Sequence, residues 1–183
     1  MILEFVEKGT NRYEDIKNLI KEKCECTCRK TMNKMTVTEE LQGSEFAIVS
    51  LTENPTSPKD WITSPVGESE GCSERCEKEL TTDVNIINKY ILNGFIVCGI
   101  KGSNNDILHI KLLCCLKGLN LGSKLINKVI EYAIEQGYKK ISLNALYEDR
   151  LIEWYKKQGF KLTTINYYNF EGKIKEREME MII

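Results

Sequence analysis

The chain has 183 residues, of which 42% are hydrophobic and 29% charged, and its formal net charge is −1. That length suits one domain with an elaborated insertion, and the balanced charge argues against a basic nucleic-acid footprint or an acidic tail. No stretch is long and apolar enough to span a bilayer, and Met1–Phe5 lacks the basic flank and apolar core of a signal peptide. The expectation is a soluble, cytoplasmic protein with no nucleic-acid or membrane partner. In chain order, Met1 to Glu7 reads as a short strand. Tyr13 to Lys23 reads as a helix with Ile16, Leu19 and Ile20 on one face and Asn11 as its N-cap. Cys24 to Lys34 reads as polar and irregular, and Glu45 to Leu51 as a strand. The stretch from about 53 to 82 holds all three prolines and the pair Cys72/Cys76, and reads as an insertion with a short helix at Ser73 to Leu80.

Beyond the insertion the pattern becomes regular. Val84 to Ile91 is ambiguous, and Phe95 to Lys101 is a strand. Gly102-Ser103-Asn104-Asn105 is a hairpin turn into a strand at Asp106 to Leu113. Ser123 to Gln136 is a helix with Leu125, Ile126, Val129, Ile130 and Ala133 inward, stopped by Gly137. Lys140 to Leu146 is a strand, and Asp149 to Gln158 a helix that Gly159 ends. Phe160 to Phe170 and Lys173 to Met181 form an antiparallel pair around Glu171-Gly172. The fold class is mixed α/β around one central sheet.

The most informative stretch is Lys117-Gly118-Leu119-Asn120-Leu121-Gly122, a small-residue loop between an apolar run and an amphipathic helix. Such a loop aims backbone N–H groups and a helix N-terminus at one point, where a phosphate can sit. It is one residue short of a Walker loop, Ser123-Lys124 stand in reversed order for one, and the Rossmann spacing of glycines is absent. Downstream, Tyr155-Lys156-Lys157-Gln158-Gly159-Phe160 closes a helix and enters a strand.

The first segment resembles the acyl-CoA pyrophosphate loop of the GNAT acetyltransferases, Arg/Gln-x-x-Gly-x-Gly/Ala, and the second their Tyr-x-x-x-Gly-Phe segment. Lys117 stands where that loop has Arg or Gln, and Asn120 replaces its middle glycine; asparagine tolerates a left-handed backbone better than other residues bearing a β-carbon. The resemblance covers about Gly94 to the end, Met1 to Leu51 loosely, and the insertion not at all. It implies a single acyltransferase domain over 1–183. The implied sheet is mixed and mostly antiparallel, with helices on both faces and a V-shaped splay between two parallel strands, Asp106 to Leu113 and Lys140 to Leu146.

The resemblance also implies acetyl-CoA as co-substrate and an N-acetyltransferase acting on a primary amine by direct attack in a ternary complex. Backbone groups near Leu112, Leu113 and Cys114 would meet pantetheine and the thioester oxygen. Lys117, Gly118, Leu119, Asn120, Leu121, Gly122, Ser123 and Lys124 would hold the diphosphate. Tyr155 would be the acid toward the departing thiolate. The family's Asn and Ala before that tyrosine are Glu148 and Leu151 here, which leaves Asn144 as the nearest alternative donor. An amine with pKa ~10 needs a proton removed. Asp106, His109 (the only histidine) and solvent are the candidate bases.

Other readings stay open. The same fold can serve as a non-catalytic CoA-binding or interaction module. Of the eight cysteines, Cys98, Cys114 and Cys115 read as reduced core residues. Cys24, Cys26, Cys28, Cys72 and Cys76 read as exposed thiols, a disulfide, or a zinc set of poor spacing, and no metal site is assigned. The charge-alternating Glu171 to Glu180 reads as a solvated edge strand and leaves homodimerisation open.

Overall fold

The computed structural model describes residues 1–28, 34–53, 90–102, 105–116 and 119–183. The elements are β1 (Ile2–Glu7), α1 (Asn11–Cys28), α2 (Lys34–Gln42), β2 (Phe46–Glu53), β3 (Tyr90–Lys101), β4 (Ile107–Cys115), α3 (Leu121–Glu135), β5 (Lys140–Leu146), α4 (Asp149–Lys157), β6 (Lys161–Tyr168) and β7 (Ile174–Ile182). One seven-stranded sheet runs β1-β2-β3-β4-β5-β7-β6. Only the β4/β5 pair is parallel. This is the mixed, mostly antiparallel sheet that the resemblance implies.

Two cores sandwich the sheet. On one face α3 and α4 pack Leu125, Ile126, Val129, Ala133, Ile152 and Tyr155 onto alternate residues of β2 to β5 and β7. On the other, α1 and α2 pack Tyr13, Ile16, Leu19, Ile20, Val37 and Leu41 onto the intervening residues of β1 to β4. The alternation follows from the two-residue period of a strand. The second core contains no residue of β5, β6 or β7.

Helix ends follow the predicted chemistry at α3 and α4. Gly137 (φ +74°) and Gly159 (φ +100°) take the left-handed backbone. At each, the next N–H returns to the helix: Tyr138 to the Ala133 carbonyl (2.9 Å) and Phe160 to the Tyr155 carbonyl (3.1 Å). The N-cap of α1 differs from expectation. Thr10, not Asn11, accepts the Tyr13 N–H on its hydroxyl (3.1 Å).

Three other expectations change. The backbone of α1 continues through Cys28, where an irregular segment was expected. The helix α2 was not legible, because among its described side chains only Val37 and Leu41, four residues apart, are buried. Cys114 is disulfide-bonded rather than reduced, while Cys98 and Cys115 are free. The insertion from residue 54 on, its Ser73 to Leu80 helix, Val84 to Lys89, Ser103, Asn104, Lys117, Gly118 and the side chains of Cys24, Cys26, Cys28, Cys72 and Cys76 lie outside the described residues. Among the described residues no helix is long and apolar enough to cross a membrane.

β4 does not keep its alternation. Cys98 pairs with Ile110 and Val97 with Leu112, so Lys111 is an extra, bulged residue. Leu108 and Ile110 therefore face α3 and α4, whereas Leu112 and Cys114 face α1 and α2. The Lys111 side chain reaches α2, where Nζ lies 3.5 Å from Glu40 Oε2. Glycines clear its path. A β-carbon on Gly99 would stand 2.8 Å from Lys111 Cε, and one on Gly43 would stand 2.7 Å from Nζ.

Past the bulge, β4 packs tightly on β3. A β-carbon on Gly94 would lie 2.7 Å from Cys115 Cβ and 2.9 Å from the Cys114 carbonyl oxygen. Neither neighbour is the free end of a flexible side chain. Gly94→Ala is expected to lower stability by about 1–3 kcal/mol in urea unfolding, with Gly137→Ala as a comparison where the strain is in the backbone alone.

Candidate active site

The site begins where a ladder stops. β4 and β5 pair from Ile107/Lys140 to Ile110/Leu143 and no further. Yet β4 runs on to Cys115 and β5 to Leu146. The Lys111 bulge coincides with the last paired residue and turns β4 aside. β4 stays bonded to β3 through Cys115, and β5 stays bonded to β7 through Leu146. The two strands thus part into a V whose walls are both anchored. In an antiparallel pair every second residue turns its N–H and C=O away from the partner. Along Leu112 to Cys115, the stretch in which the sequence reading put Leu112, Leu113 and Cys114, every second residue's groups face the gap.

The open end of the V meets the N-terminus of α3. Asn120 occupies the left-handed region (φ 48°, ψ 31°), so the tolerance for that backbone expected of asparagine is put to use. Its side chain makes no capping bond, and the first turn holds no acidic residue. The first-turn N–H groups of α3 and its positive dipole end are thereby left without a carboxylate. One of them, on Gly122, donates to the Cys115 thiol. Burial pushes that thiol's pKa up, against this bond. Leu119 and Asn120 are exposed, Leu121 is buried, Ser123 is half-buried and Lys124 is exposed.

Gly122 has a role beyond approach to a ligand. A β-carbon there would lie 3.0 Å from Trp154 Cζ2 and 3.6 Å from Cys115 Sγ. The glycine lets α4 dock against the first turn of α3. That docking places Tyr155 in the core, 7% exposed, between Trp154 (ring centroids 4.9 Å apart) and Phe160 (5.8 Å). Burial, with a smaller contribution from nearby Cys115, pushes the Tyr155 phenol pKa well up. Tyr155, Cys115 and the α3 N-terminus are therefore one neighbourhood. Trp154 opens the segment that runs to Phe160 but had no role assigned from the sequence; its signal was only an aromatic beside the tyrosine.

The two candidate bases lie elsewhere. Asp106 precedes β4 at the closed end, with Lys139 Nζ 3.6 Å from its carboxylate. Six residues separate it from Leu112, about 20 Å along a strand. His109 is on the face away from α3 and α4. Its Nδ1 lies 2.9 Å from Ser142 Oγ. Burial, then Lys101 and Lys111, lower its pKa from 6.5 to about 4, with Glu178 opposing. It is a neutral, hydrogen-bonded sheet residue at pH 7. Asn144 is exposed on that same face of β5. The structure thus brings together Leu112 to Cys114, Leu119 to Lys124 and Tyr155, and does not bring Asp106 to them. Among the described residues no group of His, Cys, Asp or Glu is arranged to hold a metal.

Comparison with known proteins agrees with this geometry. Residues 93–160 match the family model "Acetyltransferase (GNAT) family". No curated protein matches the chain. Among solved structures, an aminoglycoside 6'-N-acetyltransferase from Enterococcus faecium is 13% identical, with 100% of this chain and 97% of that one covered at a TM-score of 0.59. An acetyltransferase of Bacillus subtilis in complex with CoA is 12% identical, covering 99% and 97% at a TM-score of 0.51. Nourseothricin acetyltransferase is 23% identical over 50% of this chain and 58% of that one, at a TM-score of 0.44, so the chain spans little more than half of that protein.

The His109 environment sets a pH test. Its folded pKa, about 4, lies below the ordinary 6.5. On acidification the unfolded chain therefore takes up the proton first. The stability that neutral His109 permits is whole above about 6.5 and is lost as the pH falls toward about 4. His109→Asn, which keeps a polar atom near Ser142, is expected to flatten the fall in melting temperature across that window. The stretch that builds the slot, residues 93–160, matches the GNAT acetyltransferase family model, and the whole sheet shares the fold of the acetyltransferase structures it resembles.

Proposed function

We propose that the protein is an acetyl-CoA-dependent N-acetyltransferase that transfers the acetyl group to a primary amine by direct attack in a ternary complex. The observation that carries this reading is the parting of β4 and β5 after Ile110/Leu143, with the uncapped N-terminus of α3 at its open end. A diphosphate is an anion with many acceptors and fits first-turn N–H groups held clear of carboxylates. A pantetheine arm carries amides, and the unpaired groups of Leu112 to Cys115 can bond them as a third strand would. One N–H there, at Leu112 or Leu113, faces a thioester oxygen and stabilises the charge that forms on it.

Tyr155 acts as a hydrogen-bond donor to the sulfur of the leaving thiolate. Its phenol is held well above the ~8.5 of a thiol, so it keeps its proton while lowering the energy of the developing charge. Asp106 is too far along β4 to touch the amine, and neutral His109 is a weak acceptor. The proton from the amine leaves through solvent. Most of the rate comes from holding two reactants in line.

Two outcomes check this reading. Acetyl-CoA is expected to raise the melting temperature, and acetyl transfer to a panel of primary amines is expected with it. Stabilisation without transfer to any amine would instead favour a non-catalytic CoA-binding module. Tyr155→Phe is expected to lower kcat about 10- to 100-fold, the worth of one charge-assisted bond, with little change in acetyl-CoA affinity. At the loop, Asn120→Gly is expected to bind acetyl-CoA at least as tightly. Asn120→Val, forced into the left-handed region, is expected to cost about 1–2 kcal/mol and to weaken binding measured by calorimetry.

A further inference from the structure

On the sheet face away from α3 and α4, a polar row crosses the strands beside the V. Met179 and Met181 pack toward α3 and α4, so the intervening Glu178 and Glu180 point to the opposite face. Ser142 and Asn144 share that face, because Ile141, Leu143 and Ala145 occupy the other. Glu178 is in register with Asn144, one residue beyond Leu143, where the β4/β5 ladder ends. Glu178 therefore stands on the row next to the vertex, about one strand spacing from β5.

Glu178 is the only charged residue among the buried polar ones of the described residues, at 3% exposure. A buried carboxylate is costly unless paired. Two groups pair it. Lys101 Nζ reaches over from β3 to Oε1, and the Thr163 hydroxyl donates to Oε2 (3.2 Å). β6 bulges at this point. Leu162 pairs with Met179 and Asn166 with Arg177, so Thr163, Thr164 and Ile165 together stand opposite Glu178 alone. His109 and Ser142 fill the adjacent row.

The partner ammonium is the telling part. Lys101 is half-exposed at the end of β3, next to Gly102 (φ +90°), and is not a member of either apolar core. Its ammonium occupies a position that an ammonium from outside can take. The amine that attacks a thioester must be neutral, so a carboxylate one strand from the vertex suits a second, spectator charge. That separation is roughly the span of a short diamine.

We propose that Glu178 anchors a second ammonium group of the acceptor, that Lys101 is its internal stand-in, and that the acceptor is a small diamine or polyamine. This rests on the acetyltransferase reading above. The amine arrives with one nitrogen at the V and the other on Glu178, displacing Lys101 to solvent. Attack forms the C–N bond and breaks the C–S bond. The proton lost by the attacking nitrogen goes to solvent and the sulfur leaves as thiolate.

The test compares acetyl transfer to 1,4-diaminobutane and to n-butylamine with acetyl-CoA as donor. The expected kcat/KM favours the diamine about 10- to 100-fold. Glu178→Gln is expected to bring that ratio close to one. Lys101→Met, which removes the competing ammonium, is expected to lower KM for the diamine and leave that for the monoamine unchanged. The ratio and the KM shift are readouts that a purely structural ion pair does not move, and Lys101→Met keeps the test alive should Glu178→Gln fail to fold. Transfer to both amines without diamine preference, or a preference that Glu178→Gln leaves intact, overturns the proposal while sparing the acetyltransferase reading. Calorimetry of 1,4-diaminobutane separates the two: binding that Glu178→Gln abolishes, with no acetyl transfer to any amine, sinks the acetyltransferase reading and leaves the Glu178 site standing.

Discussion

The extra residue at Lys111 governs the rest of the molecule. Without it, β4 could keep pairing with β5 along the three further rows that β5 allows, and the sheet would be closed. With it, the strand turns, its side chains change faces, and the β4/β5 ladder ends at Ile110/Leu143. The bulge is held from a distance. Lys111 runs over Gly99 toward Gly43 and ends at Glu40, so α2 braces the kink in β4. An exposed ion pair would be worth little, but this lysine is mostly covered, and its stem fills space that two glycines leave vacant.

The same bulge lets one strand serve two cores. Leu108 and Ile110 pack under α3, and Leu112 and Cys114 pack under α1. Each side of the V is thus tied to a different helix layer and to a different neighbouring strand. That arrangement supports a gap in the middle of a sheet, where unpaired backbone groups are otherwise costly. Those unpaired groups are what a ligand rich in amides can satisfy.

The junction of α3 and α4 has the same economy. Gly122 admits Trp154, Trp154 sets the rotation of α4, and Tyr155 follows it into the core beside Cys115. On the opposite sheet face the chemistry is polar instead. Glu178, Lys101, Thr163, His109 and Ser142 form a row of satisfied groups across β3 to β6. An apolar side carrying the phenol and a polar side carrying the carboxylate therefore flank one slot.

Much of this was legible in the chain, and for a local reason. The strands from Phe95 on, the helix starting near Ser123, its stop at Gly137, the stop at Gly159 and the last hairpin each depend on residues a few positions apart, and each stands where the pattern put it. The turn into α3 was readable in the left-handed tolerance of Asn120, and the end of the helix that carries Tyr155 in Gly159. Asp106 was a candidate by its place on the strand and His109 by its residue type, and neither fixes distance to the slot. Asp106 sits at the closed end beside Lys139, and His109 turns to Ser142. The bulge at Lys111, the lysine channel made by Gly43 and Gly99, the docking of Trp154 on Gly122, and the meeting of Lys101 with Glu178 were decided only by the tertiary structure. In each case the deciding atoms come from segments far apart in the chain, and steric fit and the pairing of a buried charge act only once those segments meet.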